Sequence, residues 1–313
     1  GCSSNNSSDV FTAKLRVLET SDIHANVMDY DYYQTKQDIT IGLARTASLI
    51  NIARTEVDNT LLVDNGDLLQ GSPMGDYVAS EFKKGNEFSI HPAHKAMNLL
   101  DYEVGNIGNH EFNYGLEFLK KAITGASFPY INANVYCQAD CWDNKQAGDN
   151  LFTPYLIKET QIIDNTGEQR TINVGYIGFV PPQILQWDKQ NLDGKVTVNG
   201  IVETAHKFIP EMKAAGADII IAIPHSGIGS SENPSDVNAE NATYALTTVD
   251  GIDAIMFGHS HSVFPSAQFA NIPNVDIENG LINGVPAVMP GRWGDNLGVI
   301  DFNLKYSNKK WIV

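Results

Sequence analysis

The sequence predicts a layered α/β fold, and three observations carry the prediction. Short apolar runs alternate with helical patterns along most of the chain. Several of those runs are nearly continuous in Leu, Ile and Val, as strands covered on both faces are. Five of them end in clusters of Asp, His or Asn, just past the strand ends where ligands bind in open α/β sheets.

In order along the chain, KLRVLET at 14–20 reads as a strand running into SDIHAN. Residues 43–57 carry Leu43, Ala47, Ile50 and Ile52 between polar residues and read as an amphipathic helix. TLLVDNGD at 60–67 is a second strand ending in a turn. Helical stretches follow at 75–84 and 92–100, the latter opened by Pro92 at a favourable first-turn position. EVGNIGNHE is a third strand and turn, and YGLEFLKKAIT the helix after it. Later strands fit INVGYIGFV, ADIIIAIPHSG, DAIMFGHSH, VPAVMPG and LGVIDFNL. Residues 1–12 are expected to form a flexible tether and residues 13–313 one folded domain.

At 313 residues, 42% hydrophobic and 19% charged, the chain can bury a sizeable core. Its 21 Lys and Arg stand against 37 Asp and Glu, a formal net charge of −16 spread along the sequence. Such a surface repels polyanions, which excludes a nucleic-acid scaffold role. A small anionic substrate would need local positive charge, and no cluster of Lys or Arg offers it. Bound metal ions are the expected source. No apolar run approaches the ~18 residues of a membrane helix.

The five clusters are VLETSDIH, LLVDNGD, VGNIGNH, IIIAIPHSG and AIMFGHSH. Each alone is weak, because a Gly-Asp after a strand is usually a turn and a buried His is usually a packed one. Together they offer oxygen and imidazole donors without a thiol, a set that suits first-row divalent ions in two-metal hydrolysis.

Asp22-Ile23-His24, Gly66-Asp67, Gly108-Asn109-His110-Glu111, His225 and Gly258-His259-Ser260-His261 resemble the ordered motif set of the calcineurin-like metallophosphoesterases. The resemblance implies a four-layer αββα sandwich with a di-metal site at the strand ends. It also implies that Asp22, His24 and His261 hold one ion, that Asn109, His225 and His259 hold the other, and that Asp67 bridges them. The chemistry of the residues agrees. Two cations ~3.5–4 Å apart repel each other, so they need a shared anion such as the Asp67 carboxylate. Asn109 adds a neutral oxygen, which leaves the pair positive enough to attract a phosphate. The ligand set accepts Mn, Zn, Fe, Co or Ni, and does not choose among them. His110 is then free to face the substrate as an acid, with Asn113 as its partner. Glu111 is expected to support the turn.

Within that superfamily the chain resembles the 5′-nucleotidase group, in SDIHANVMDYDYY, GNHEFNYGLEFL, INANVY, FTPYLIK, GYIGFVPPQI, MFGHSHSVFP and GVPAVMPGRWGDNLGVIDF. The nucleotidase branch usually carries Asp where this chain has Asn113. The resemblance therefore favours the branch acting on 2′,3′-cyclic nucleotides and 3′-nucleotides. It implies that a hydroxide held by the ions opens the cyclic phosphate to a 3′-monophosphate, and that a second hydrolysis releases phosphate. The alternatives are a 5′-nucleotidase or nucleotide-sugar hydrolase and, outside enzymes, an exported binding module on the same fold. Relatives of this kind continue into a C-terminal nucleotide-binding domain, so this chain is expected to be the catalytic part of a longer protein.

GCSSNNSSD resembles the end of a bacterial lipobox, with Cys2 lipidated and the polar tract a tether; a plain disordered linker is the alternative. The expected location is the periplasm or another exported site. Cys137 and Cys141 are expected to form a disulfide, with two free thiols as the alternative. Arg292 could hold a phosphate oxygen or simply stack on Trp293. Tyr30, Tyr32 and Tyr33 could line an entrance or pack locally. His94 and Asn98 are expected only to pack their helix.

Overall fold

The structure, a computed structural model, describes residues 10–28, 30–31, 34, 36–37, 42–139, 141–229, 236 and 238–313. Cys2, Tyr32 and Tyr33 lie outside the described residues, and of Tyr30 only its place in the short strand Tyr30–Asp31 is described.

Two sheets stack face to face. The first has six strands in the order Lys310–Ile312, Gly298–Ser307, Phe11–Thr20, Thr60–Asp64, Val104–Asn106 and Tyr130–Ile131. The second runs Val275–Asp276, Leu281–Ile282, Val285–Pro290, Ala254–Met256, Ile219–Pro224, Gln169–Phe179 and Tyr155–Ile163, with Val263–Phe264 paired to Val285–Pro290. Because side chains alternate along a strand, each sheet serves two cores. Leu15, Val17, Leu61 and Val63 of the first sheet meet Val174, Tyr176, Ile219, Ile221 and Ile223 of the second in the middle layer. Leu18 and Leu62 turn outward onto the helices Leu43–Thr55, Pro73–Lys83, Pro92–Met97 and Leu116–Thr124. Ile220 and Ala222 turn the other way, onto Ile201–Ala214. The expected four-layer αββα sandwich is the observed fold.

One expectation needs correction, and one element had not been expected. The helix at 43–55 buries Leu43, Thr46, Ile50 and Ala53, while Ile52 is 58% exposed. At 3.6 residues per turn the buried stripe through Leu43 and Ile50 passes through position 53, and Ile52 points away from it. The strand Tyr155–Ile163 had no sequence-based assignment. It is a sheet edge with Lys158, Glu159 and Gln161 among its residues, so it lacks the apolar run that marked the others. Cys137 and Cys141 are disulfide-bonded.

The central strands run parallel, so their carboxyl ends share one edge of the sandwich. Two buried asparagines stitch the sheets together there. Asn65 Nδ2 donates to the carbonyls of Pro224 and Met256 at 2.8 and 2.9 Å, and Asn106 Nδ2 to those of Asn65 and Phe179 at 2.9 and 3.1 Å. Loops leaving either sheet thereby begin at fixed positions relative to each other.

Candidate metal centre

Asp22 and His24 follow Phe11–Thr20, Asp67 follows Thr60–Asp64, His225 follows Ile219–Pro224, and His259 and His261 follow Ala254–Met256. Asn109 opens the 3-10 turn Asn109–Phe112 after Val104–Asn106. An extended chain would send successive side chains to opposite faces. Here Asp22, His24, Asp67, His259 and His261 all have positive φ, between 51 and 78°. Such left-handed conformations are costly for residues other than glycine and gather at functional sites. Two glycines are required by close approach. A Cβ on Gly108 would collide with the Asp67 carboxylate and backbone nitrogen, and one on Gly258 with Ser21, Asn65 and Asp22.

The turns bring two sets of donors together, Asp22 with His24 and His261, and Asp67 with His225 and His259, each set with its ligand atoms within 4.8 Å of one another. Asp22 Oδ1 lies 3.3 Å from His261 Nε2 and 3.6 Å from both His24 Nε2 and His225 Nε2. Asp67 Oδ2 lies 2.9 Å from His225 Nε2 and 3.7 Å from His24 Nε2, so it faces imidazoles of both sets. The far side of each group is already engaged. His24 Nδ1 donates to the Gln70 carbonyl at 2.8 Å and His225 Nδ1 to Asn65 Oδ1 at 2.8 Å. Asn65 cannot present a donor there, because its amide nitrogen is committed to the two carbonyls. Both rings therefore carry a proton on Nδ1, and Nε2 is the nitrogen they turn inward. Asp22 Oδ2 accepts from Ser21 Oγ and the His259 amide, and Asp67 Oδ1 from the His110 amide.

What remains is a set of buried atoms with no hydrogen-bond partner among the described residues: Asp22 Oδ1, Asp67 Oδ2, Asn109 Oδ1 and His225 Nε2. Carboxylate oxygens and imidazole nitrogens this close need a proton or a cation between them, and burying them without either is costly. Divalent cations would satisfy the oxygens and ring nitrogens of both groups, so the residues present fit a pair of metal ions.

The same demand for positive charge shows in the ionisation of the bare protein. Burial favours a neutral His225, but Asp67 and Asp22 outweigh it and push the imidazole up to about 10. Burial likewise favours protonated carboxyls, yet His225 and His24 hold Asp67 down at about 2 and Asp22 well below the ordinary range. Burial and the neighbouring His225 push His259 down.

The calcineurin-like phosphoesterase family matches residues 15–263 of the sequence. The chain belongs to that family. The 2′,3′-cyclic-nucleotide 2′-phosphodiesterase/3′-nucleotidase of Salmonella typhimurium is 56% identical over 302 residues, which are 96% of this chain and 45% of that protein. The crystal structure of the calcineurin-like phosphoesterase YfkN from Bacillus subtilis superposes with a TM-score of 0.88 at 50% identity, covering 96% of this chain and 88% of that one. A 5′-nucleotidase of Vibrio cholerae is more distant, 27% identical over 305 residues, 94% of this chain and 49% of that protein. The chain thus spans about half the length of the curated relatives it matches.

In this calcineurin-like phosphoesterase His110 stands beside His24, ring centroids 5.2 Å apart, with Nδ1 2.6 Å from Asn113 Oδ1. Glu111 is fully buried and its carboxyl accepts backbone N–H groups from Asp67, Leu68, Leu69 and Gly108, which clamps one ligand turn to the other. Burial and the Asp67 charge raise it to about 7. Arg292 stacks on Trp293, its guanidinium carbon 4.2 Å from the ring centroid. His94 packs its helix as expected, bonded to the Tyr130 hydroxyl at 2.7 Å.

Sequence reasoning missed the residues that orient the ligands. Asn65 and Ser21 were signalled only by their place in DNGD and TSDIH. Trp187, stacked on His259 with centroids 5.8 Å apart, and Asp188, hydrogen-bonded to Asn113, had no local signal.

Proposed function

We propose that this chain is the catalytic domain of a metal-dependent phosphoesterase that hydrolyses 2′,3′-cyclic nucleotides to 3′-nucleotides and these to nucleoside and phosphate. The observation that carries the reading is the cluster of two carboxylates and four imidazoles, in which Asp22 Oδ1, Asp67 Oδ2 and His225 Nε2 are buried with no hydrogen-bond partner among the described residues. The relative from Salmonella typhimurium supplies the substrate class. Asp22, His24 and His261 would hold one ion, Asn109, His225 and His259 the other, and Asp67 both. When bound, the ions neutralise phosphoryl oxygens and make water a nucleophile at neutral pH. Mn, Zn, Fe, Co and Ni all suit these ligands.

The chain's own residues do the rest. The network behind Asp22, Asp67, His24 and His225 fixes the donors before substrate arrives, so no reorganisation is needed as charge develops. Water adds to phosphorus, the bond to the 2′-oxygen breaks, and that oxygen takes a proton. His110 holds one proton at Nδ1 against Asn113, which leaves Nε2 as the atom that delivers the other.

The test compares 2′,3′-cyclic AMP, 3′-AMP and 5′-AMP, before and after chelation and metal return. The expected result is two ions per chain, chelator-sensitive turnover, and preference for the cyclic and 3′ substrates. Turnover that survives chelation, or 5′-AMP as the best substrate, overturns the reading.

The full-length protein is expected to add a C-terminal nucleotide-binding domain. This chain by itself should then hydrolyse bis-p-nitrophenyl phosphate while binding nucleotides weakly. Export, with Cys2 as a lipid tether, is supported by the Cys137–Cys141 disulfide, which persists in oxidising compartments. Mass spectrometry of the N-terminal peptide from cell envelopes would find the lipid or its absence.

A further inference from the structure

The short helices Ile184–Trp187 and Lys189–Leu192 meet at Asp188, which lies against the turn that carries His110. Asn113 Nδ2 donates to both Asp188 oxygens, at 2.9 and 3.2 Å. Asn191 Nδ2 donates to the carbonyls of Phe112 and Asn113 at 3.3 and 3.1 Å, which holds the backbone of that turn to the same helix pair. Asp188 is only 9% exposed.

Hydrogen-bond chemistry then sets every direction in the chain of contacts. A carboxylate only accepts, so the Asn113 amide nitrogen must face Asp188. The amide oxygen must consequently face His110. An acceptor at 2.6 Å requires the proton on Nδ1 and leaves Nε2 on the opposite side of the ring. Without Asp188 nothing distinguishes the two ends of the Asn113 amide. Flipped, it would present a donor to Nδ1, and the ring could no longer hold two protons, one against Asn113 and one at Nε2 toward the substrate.

We infer that Asp188 is the positioning residue of His110, acting through the Asn113 amide to fix both the ring orientation and the tautomer. A carboxylate from a distant segment thereby orients the imidazole without touching it. The inference rests on the proposed phosphoesterase activity for its kinetic consequence, and on geometry alone for its spectroscopic one.

The test uses Asp188→Asn, Asn113→Asp and the double variant Asn113→Asp/Asp188→Asn in zinc-loaded protein. Long-range ¹H–¹⁵N spectra of the imidazoles report the tautomer, and bis-p-nitrophenyl phosphate hydrolysis reports kcat and KM. Asp188→Asn should turn the single Nδ1–H form of His110 into a mixture. It should also lower kcat roughly tenfold with KM changed less than about twofold, the range typical of groups behind an active residue. Asn113→Asp alone sets two carboxylates against each other and should lose at least as much. The double variant keeps an acceptor for Nδ1 and supplies a donor to that acceptor, so it should regain about tenfold over Asn113→Asp with the Nδ1–H form retained. An unchanged tautomer and kcat in Asp188→Asn, or a double variant no better than the product of the single losses, overturns the inference. If the unsubstituted protein hydrolyses no phosphoester, the functional reading falls while the imidazole spectra still decide this one.

Discussion

Two groups of buried histidines in this molecule meet opposite fates. His91 and His94, at the start of the helix Pro92–Met97, are buried among Phe88, Phe118, Phe128 and Tyr130. Burial pushes His91 down to about 3, with help from His94, and His94 to about 4. His225 is just as buried, but Asp67 and Asp22 carry it up to about 10. Burial alone therefore makes a histidine a neutral core residue. Two converging carboxylates put the same side chain in a cluster that demands positive charge.

The largest expected effect breaks this contrast at its centre. His225→Ala or Asp67→Asn should lower kcat about 10³-fold, the scale of losing a main source of transition-state charge stabilisation. Metal analysis should find fewer than two ions per chain. His94→Gln should leave metal content and kcat as they were. Loss of metal from His94→Gln would show that the two groups of histidines are not distinct.

Next in size is the pH dependence of the metal-free protein. His94 is neutral in the folded chain down to about 4, whereas the unfolded chain takes up its proton near 6.5. Its contribution therefore weakens the fold as pH falls from about 6.5 toward 4. His225 works the other way: its folded-state pKa is raised, so its stabilisation is present below 6.5 and is lost as pH rises through about 10. At ~1.4 kcal/mol per pKa unit each amounts to a few kcal/mol. Melting temperatures measured across that range should show His94→Gln flattening the acid limb and His225→Gln the alkaline one. Identical profiles for both variants would refute the assignment.

The contrast also explains what the sequence could and could not reveal. Asp22, His24, Asp67, Asn109, His225, His259 and His261 could be singled out because each follows a short apolar strand, and strand ends on one edge converge. His94 was separable from them because it begins a helix after Pro92. The partners that set tautomers were not legible, since Asn65 is one more polar residue in a turn and Asp188 lies 75 residues from Asn113. Nor does local pattern reveal the left-handed conformations at Asp22 and His261, because residues other than glycine seldom adopt positive φ. The edge strand Tyr155–Ile163 was missed for a related reason: only half of an edge strand answers to the core.

A smaller effect should come from the residue behind His225. Asn65→Ala removes the acceptor for His225 Nδ1 together with the stitch to Pro224 and Met256. Groups in this position typically change metal affinity or activity about 10–100-fold. Zinc competition against a chelator should report that loss. His91 has no such partner, its Nδ1 accepting only from the Ala93 amide at the helix start, so His91→Asn should leave zinc affinity unchanged.

The smallest predicted change concerns the aromatic neighbours, which the two groups of histidines share. Around His91 and His94 the rings are mostly buried and define the apolar environment. Trp187 is 42% exposed, yet stacks on His259 at an interplanar angle of 27°. Such a pair contributes about 0.5–1.5 kcal/mol, so Trp187→Ala should weaken zinc binding only severalfold, and Trp187→Phe should recover most of it. A loss as large as that of Asn65→Ala would mean that Trp187 does more than cover the ring. It would then rank with the hydrogen-bonding partners in holding His259, and the aromatic neighbours of the two groups would differ in kind as well as in exposure.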